Sequence, residues 1–289
     1  MTVLAIPNVS EGRDVGFVDE AVRLVERHGS HVLDVHRDPV HNRSVLTIAG
    51  DDAALVASTT ALAELCSSLD MTRHRGAHPR LGGLDVCPFV PHGTSMERAS
   101  AVALAAAEEI HAVTALPIYL YGEVARTPDV TLPAIRKGGL DELARRANEG
   151  FIPDLGDPSI DLRRGVVCVG ARDVSIAFNV WLRCDMDVAR AIASTIRASD
   201  GGLPGVRTLG LEIHTGVSQI SMNLIDPLTT GIDAAFDAVD AEARQRGAIV
   251  AHTEIVGLVP ERFLPDASAK TARLLTEPSR SLESVLLQV

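Results

Sequence analysis

Residues 70–85 hold two His, three Arg and three Gly with few aliphatic side chains, and their centre reads His74-Arg75-Gly76-Ala77-His78-Pro79-Arg80. An imidazole titrates near neutral pH and can serve as a general acid or base. His78 is the candidate catalytic residue, because Pro79 restricts the backbone before it and the glycines allow a ligand to come close. Arg80 would fix an anionic substrate group. Two other readings fit the composition: a basic surface loop, or a metal pair made by His74 and His78. Four-residue spacing suits a metal on a helix, but Gly76 and Pro79 argue against one. No Glu or Cys stands nearby at ligand spacing, so no metal is expected.

Four further stretches gather polar side chains. Asn8 and Ser10 precede a helical pattern, where backbone N–H groups favour a carboxylate; the plainer reading is a helix start capped by Ser10. Asn42 and Arg43 present planar donors between two strand patterns, and fit either carboxylate recognition or a hairpin with a surface arginine. Arg172 opens a turn into a strand that carries Asn179, a buried amide in need of a partner, substrate or backbone. Gln219, Ser221 and Asn223 share one strand face by the period of two, as a solvated surface or a cleft wall. His252 and Glu254 share a face of the next strand in the same way.

The elements that must position these groups alternate along the chain. Strand patterns fall at residues 3–6, 31–35, 44–49, 85–90, 117–120, 165–170, 174–182, 205–214, 217–224 and 248–256. Helical periodicity covers 16–27, 53–67, 95–111, 132–146 (interrupted at Gly138-Gly139), 186–197, 230–246 and 260–274. The predicted class is α/β, an α+β sandwich-like fold with helices packed on one face of each sheet. Residues 148–164, with two prolines and mixed charge, are the candidate linker. The two domains are placed at 1–176 and 177–289.

Composition narrows the function classes. Hydrophobic residues make up 46% of the 289-residue chain and aromatics only 3%, so the core is aliphatic. A formal net charge of −11 with no Lys/Arg run argues against nucleic acid as a partner, since phosphate neutralisation needs clustered cations. Cys66, Cys87, Cys168 and Cys184 are widely spaced without a C-x-x-C, and read as reduced buried thiols. No apolar run reaches the roughly 18 residues of a membrane span. The first residues lack a signal-peptide pattern, and a cytoplasmic location is expected.

Taken together, His74-Arg75-Gly76-Ala77-His78-Pro79-Arg80-Leu81-Gly82, Gly170-Ala171-Arg172, Gln219-Ile220-Ser221-Met222-Asn223-Leu224 and Glu254-Ile255-Val256-Gly257-Leu258-Val259-Pro260 resemble the glutamate formimidoyltransferase family over nearly the whole chain. The resemblance implies two subdomains, each a mixed sheet with helices on one face, a ligand cleft between them, and a homodimer. It implies transfer of a formimino group from N-formimino-L-glutamate to N5 of tetrahydrofolate, the co-substrate, in histidine degradation. The family's catalytic histidine falls on His78. Asn8, Ser10, His36, Asn42, Arg43, Arg80, Arg172, Asn179, Gln219 and Asn223 are the expected substrate-binding residues. Gly156, Asp157, Arg163, Arg164 and Gly165 are expected to hold the folate. A fused cyclodeaminase domain is not expected, so a separate protein would process the product. Val9 stands where the family has Phe, His36 stands where it has Asp, and residues 157–165 match poorly. These departures bear on the donor and acceptor. The alternatives are another formimino donor such as formiminoglycine, another one-carbon acceptor, or a non-catalytic folate-binding subunit.

Overall fold

A computed structural model describes residues 2–77, 79–278 and 280–289, which form two compact units, Met1–Asp173 and Val174–Val289. The first unit runs β1 (Thr2–Ala5), β2 (Asn8–Val9), α1 (Val15–Arg27), β3 (His31–Asp38), β4 (Arg43–Gly50), α2 (Asp52–Cys66), β5 (Leu84–His92), α3 (Met96–Thr114), β6 (Ile118–Gly122), α4 (Leu132–Arg136), α5 (Gly139–Asn148) and β7 (Val167–Ala171). Pro7 separates β1 from β2, and both lie between β4 and β5. The strands therefore line up as β3, β4, β1 with β2, β5, β7 and β6. Pairings among β1 to β5 are antiparallel, while β5, β7 and β6 run parallel, so the sheet is mixed.

Helix starts follow from local chemistry. The Asp14 carboxylate accepts from Phe17 N at α1, Asp51 from Ala54 N at α2, and Ser95 from Arg98 N at α3, each satisfying a donor that the first turn leaves open. Val18, Ala21 and Val25 recur at helical spacing and are the buried stripe of α1. The cap of α1 is thus Asp14 and not Ser10. Helices α1 to α3 cover one face of the sheet, packed on residues such as Leu46, Ile48, Phe89 and Val169. A smaller layer lies on the other face, where α4 and α5 set Ile135, Leu143 and Ala147 against Tyr119, Tyr121 and Cys168. Alternation along β6 and β7 supplies both layers, as residues with two apolar faces must.

The second unit runs β8 (Ile176–Arg183), α6 (Met186–Ile196), β9 (Val206–His214), β10 (Val217–Leu224), α7 (Ile232–Gln245) and β11 (Ile249–Val256), followed by short helices α8 (Lys270–Arg273) and α9 (Leu282–Leu286). Its strand order is β11-β8-β10-β9, with helices on the face built by Phe178, Val180, Ile220 and Met222. A mixed sheet was expected here, but each of these pairings is antiparallel. The reason is connectivity: α6 joins two strands separated by β10, and α7 joins two separated by β8, so every neighbour runs the opposite way. This is a β-α-β-β-α-β split unit. The first unit contains the same arrangement in β1/β2, α1, β3, β4, α2 and β5, to which β6, β7 and α3 to α5 are added.

Two further expectations fail. Residues 148–164 are not a linker: Asp154 N donates to Ile118 O (2.7 Å) and Ile118 N to Leu155 O (2.9 Å), so the segment edges β6. The Asp154 carboxylate also accepts from Leu120 N at 2.7 Å. The helix expected at 260–274 shrinks to a turn at Glu261–Phe263 and to α8. Pro265 holds Leu264 extended (ψ 148°), which stops the first turn from propagating.

Candidate active site

Strand directions bring three connections of the first unit to one end of its sheet. Strands β2 and β3 end where β4 and β5 begin, so residues 10–14, 39–42 and 67–83 all emerge together. Asn42 ties them. It adopts φ 49°, a left-handed conformation that Asn tolerates better than most residues. Its Oδ1 accepts from Gly12 N at 3.0 Å, and its Nδ2 donates to Arg75 O at 3.2 Å. The three backbones pack directly. A Cβ at Gly12 would strike Asp38 O and Arg43 N, and one at Gly76 would strike His41 O and the Arg80 guanidinium. Only glycine allows that approach.

Arg80 is built into the same knot. Nη2 donates to His41 O (2.7 Å) and Nη1 to Asn42 O (3.0 Å). Nη1 also lies 2.7 Å from Nδ1 of His74, and Asn42 Nδ2 lies 2.9 Å from its Nε2. Both neighbours are donors, and neutral imidazole accepts at one nitrogen only, so its tautomer decides which contact is the hydrogen bond. Burial, and then the Arg80 charge, push the His74 pKa below its usual value and keep the ring neutral. His78 lies outside the described residues.

Beneath the loop sits Asp85, the extra residue of a bulge where Asn8 pairs with Val86 but Val9 with Leu84. Bulges re-aim side chains, and this one buries a carboxylate at 2% exposure. Asp85 Oδ1 accepts from Leu81 N (2.8 Å), and Oδ2 accepts from Arg136 on α4. Arg43 heads β4 on the face away from α1 to α3. Burial first, and then the Arg136 charge, lower its pKa to about 10. Its Nε is buried with no hydrogen-bond partner among the described residues.

The remaining expected residues divide. His36 stands opposite Val45, on the same sheet face as Arg43. Asn8 donates through Nδ2 to Ile6 O (2.8 Å), and Ser10 through Oγ to Gly82 O (2.7 Å), so Ser10 ties its turn to the 67–83 loop. Arg172 does not join the knot. Its N–H pairs with Phe89 O, five residues along β5 from Leu84 and so roughly 16 Å away along the strand. Burial lowers its pKa, Tyr121 opposes that shift, and Arg172 Nη1 donates to Asp173 O at 2.8 Å. Of the expected folate residues, Arg163 O accepts from Met71 N (2.8 Å), Arg164 Nη2 donates to Thr114 O (2.7 Å), and Gly165 bridges Gly82. Gly156 packs beside Pro117, with Asp157 next to it holding Ser159 N. The segment therefore runs from the start of β6 to the start of β5, along the same end of the sheet.

In the second unit the sheet face opposite α6 and α7 is polar. Asn179 is buried at 5% exposure and donates through Nδ2 to Glu254 Oε2 (2.9 Å), so its partner is a side chain and not backbone. Trp181 stacks on His252, with ring centroids 4.9 Å apart. Burial lowers the His252 pKa, and Glu254 opposes the shift. Gln219, at 0% exposure, sits opposite Trp181, whereas Asn223 at the other end of β10 is exposed. The expected polar stripe is thus buried at one end and open at the other.

Sequence reasoning missed Arg136, Asp85 and Trp181 as site residues. Trp181 had a signal, as the chain's single Trp, two residues from Asn179 on one strand. Arg136 had none, because its meeting with Asp85 joins positions 51 apart. Among the described residues no group of three or more His, Cys, Asp or Glu could hold a metal ion. No helix among them is long and apolar enough to cross a membrane.

Comparison with known proteins finds two family matches. Residues 2–172 match the formiminotransferase domain, N-terminal subdomain, and residues 177–274 match the formiminotransferase domain. A glutamate formimidoyltransferase of Thermoplasma acidophilum is 40% identical over 92% of this chain and 90% of its own length. One from Streptococcus pyogenes serotype M1 is 36% identical over 92% of this chain and 91% of its own. A formimidoyltransferase-cyclodeaminase of Mus musculus is 36% identical over 92% of this chain but 52% of its own.

Proposed function

The chain belongs to the formiminotransferase family, and on that footing we propose that it transfers the formimino group of N-formimino-L-glutamate to N5 of tetrahydrofolate. It is an enzyme, a one-carbon group transferase. The observation that carries the substrate pair is the match, end to end, with two relatives named as glutamate formimidoyltransferases. Folate use, like a homodimeric assembly and a cytoplasmic location, comes with that reading.

The formimino carbon gains a bond to N5 and loses its bond to the glutamate nitrogen. One proton must leave N5 and one must reach the departing amine, so one base that becomes an acid serves both steps. His78 is the residue proposed for that role. The chain's own architecture supports the rest. Loops knotted through Asn42, Gly12 and Gly76 hold one another at one end of the sheet, and such fixed geometry replaces the entropy of encounter. His74, kept neutral by burial and Arg80, is a positioning residue. Arg43, with a buried unsatisfied Nε, fits a substrate carboxylate; Arg80 is engaged by backbone carbonyls instead.

The test is direct assay of the purified protein with tetrahydrofolate and either N-formimino-L-glutamate or formiminoglycine. Folate-dependent release of glutamate with formation of 5-formiminotetrahydrofolate is expected. Product from formiminoglycine alone would move the donor assignment, and no product from either would overturn the reading.

A further inference from the structure

Two arginines of the first unit, Arg43 at the head of β4 and Arg136 at the end of α4, each hold a guanidinium nitrogen that nothing else satisfies. The Nε atoms of Arg43 and Arg136 are buried, and neither has a hydrogen-bond partner among the described residues. Arg136 reaches Asp85 through Nη2, while Arg43 makes no ion pair among the described residues. The two cations act on one another, and Asp85 acts on both. Asp38, the next carboxylate to influence Arg43, already accepts from Val40 N and His41 N at 2.8 Å. Three guanidinium groups (Arg43, Arg136 and Arg80) face two carboxylates (Asp85 and Asp38), which leaves one positive charge uncompensated, an arrangement that is costly without an anion. Arg146 also has a buried Nε without a partner among the described residues, but its other guanidinium nitrogens donate to Ala134 O, Ile135 O and Lys137 O, whereas arginines such as Arg98 and Arg145 pair with Asp52, Glu142 and Glu149.

We propose that Arg43 and Arg136 together hold one carboxylate of the amino-acid donor, with Asp85 as the positioning residue that fixes Arg136. The donor's identity rests on the transfer reading; the anion site does not. A single excess charge suits a monoanion better than a dianionic phosphate, and planar forks match a carboxylate's two oxygens. Asp85 also holds Leu81 N, so the same carboxylate couples the anion site to the loop that carries His78.

The experiment titrates the wild type, Arg43→Gln and Arg136→Lys with L-glutamate and with inorganic phosphate by calorimetry, without folate. L-glutamate is expected to bind the wild type and to bind each folded variant about 10-fold more weakly or worse, since each removes charge-assisted bonds. Arg136→Lys keeps the charge and loses only the fork, so its loss reports geometry. In turnover the same variants should raise the donor KM about as much, with kcat changed less than about threefold. Thermal melts show which variants fold; if Arg136→Lys does not, Arg43→Gln decides. The proposal is overturned if the wild type does not bind L-glutamate, if folded variants bind it as the wild type does, or if phosphate binds more tightly. A wild type that binds L-glutamate but transfers nothing would instead sink the transfer reading alone.

Discussion

In the first unit the connections after β2, between β3 and β4 and before β5 are residues 10–14, 39–42 and 67–83. In the second unit, which repeats the topology, the corresponding connections are 184–185, 215–216 and 246–248. The second unit is long at the opposite end instead, over 197–205 and 225–231. Its long connections satisfy their own polar groups: Ser194 and Arg197 bond Asp200, and Thr230 bonds Pro204 O. The long connections of the first unit bond to one another across three segments and still leave Arg43 unsatisfied. Strand order sets which connections share an end. Connection length then decides where polar atoms can gather, and beside the long connections of the first unit Arg43 keeps unmet hydrogen-bond capacity. On the second unit the polar groups sit on the strands themselves, at Asn179, Trp181, Gln219 and Glu254.

Glycine substitutions in the two α-to-β connections should break this comparison most sharply. Gly76→Ala drives a methyl group into His41 O and Arg80, so turnover should fall about 100-fold or more, as misplaced reacting groups do. Gly247→Ala meets nothing within 4 Å at φ 70° and should cost about 1–2 kcal/mol of stability with turnover intact. Equal losses of activity would refute the assignment of chemistry to the first unit.

A smaller contrast separates two carboxylates. Asp85→Asn leaves Arg136 buried and uncompensated and should destabilise by about 3–5 kcal/mol in urea unfolding. Asp240 pairs with Lys270 and Arg244, whose side chains are 45% and 70% exposed, so Asp240→Asn should cost about 1 kcal/mol. Comparable values would mean that the bulge at Asp85 is not under the load inferred for it.

The smallest effect is a pH slope. His74 is harder to protonate folded than unfolded, so the unfolded chain binds more protons below its ordinary pKa of 6.5. Its contribution is therefore present above that pH and fades as pH falls. His74→Gln should flatten the loss of thermal stability between about pH 6.5 and 5. His252 shifts the same way, so a residual slope should remain in that variant and shrink further in the double variant His74→Gln/His252→Gln.

Much of this was legible before the fold was known. Period-two alternation placed Gln219, Ser221 and Asn223 on one face, and Gly138-Gly139 marked the break between α4 and α5, where both glycines take positive φ. Of the polar run at 74–80, His74, Gly76 and Arg80 lie at one end of the first sheet. What the sequence could not carry were meetings between distant positions. Arg136 with Asp85, Arg163 with Met71, and Ser10 with Gly82 depend on register and on the bulge, and neither has a local pattern. Residues 148–164 looked like a linker because prolines, glycines and charges also serve a segment that edges a strand. Burial along β10 was likewise invisible: Gln219 and Asn223 are alike in type and opposite in exposure.

In the proposed mechanism His78, in the 67–83 connection of the first unit, carries the proton transfer. Steady-state turnover of His78→Ala with N-formimino-L-glutamate and tetrahydrofolate, beside its folate affinity by calorimetry, tests that role. A fall in kcat of about 100-fold or more with folate affinity unchanged is the predicted result. Turnover within about tenfold of the wild type would contradict it.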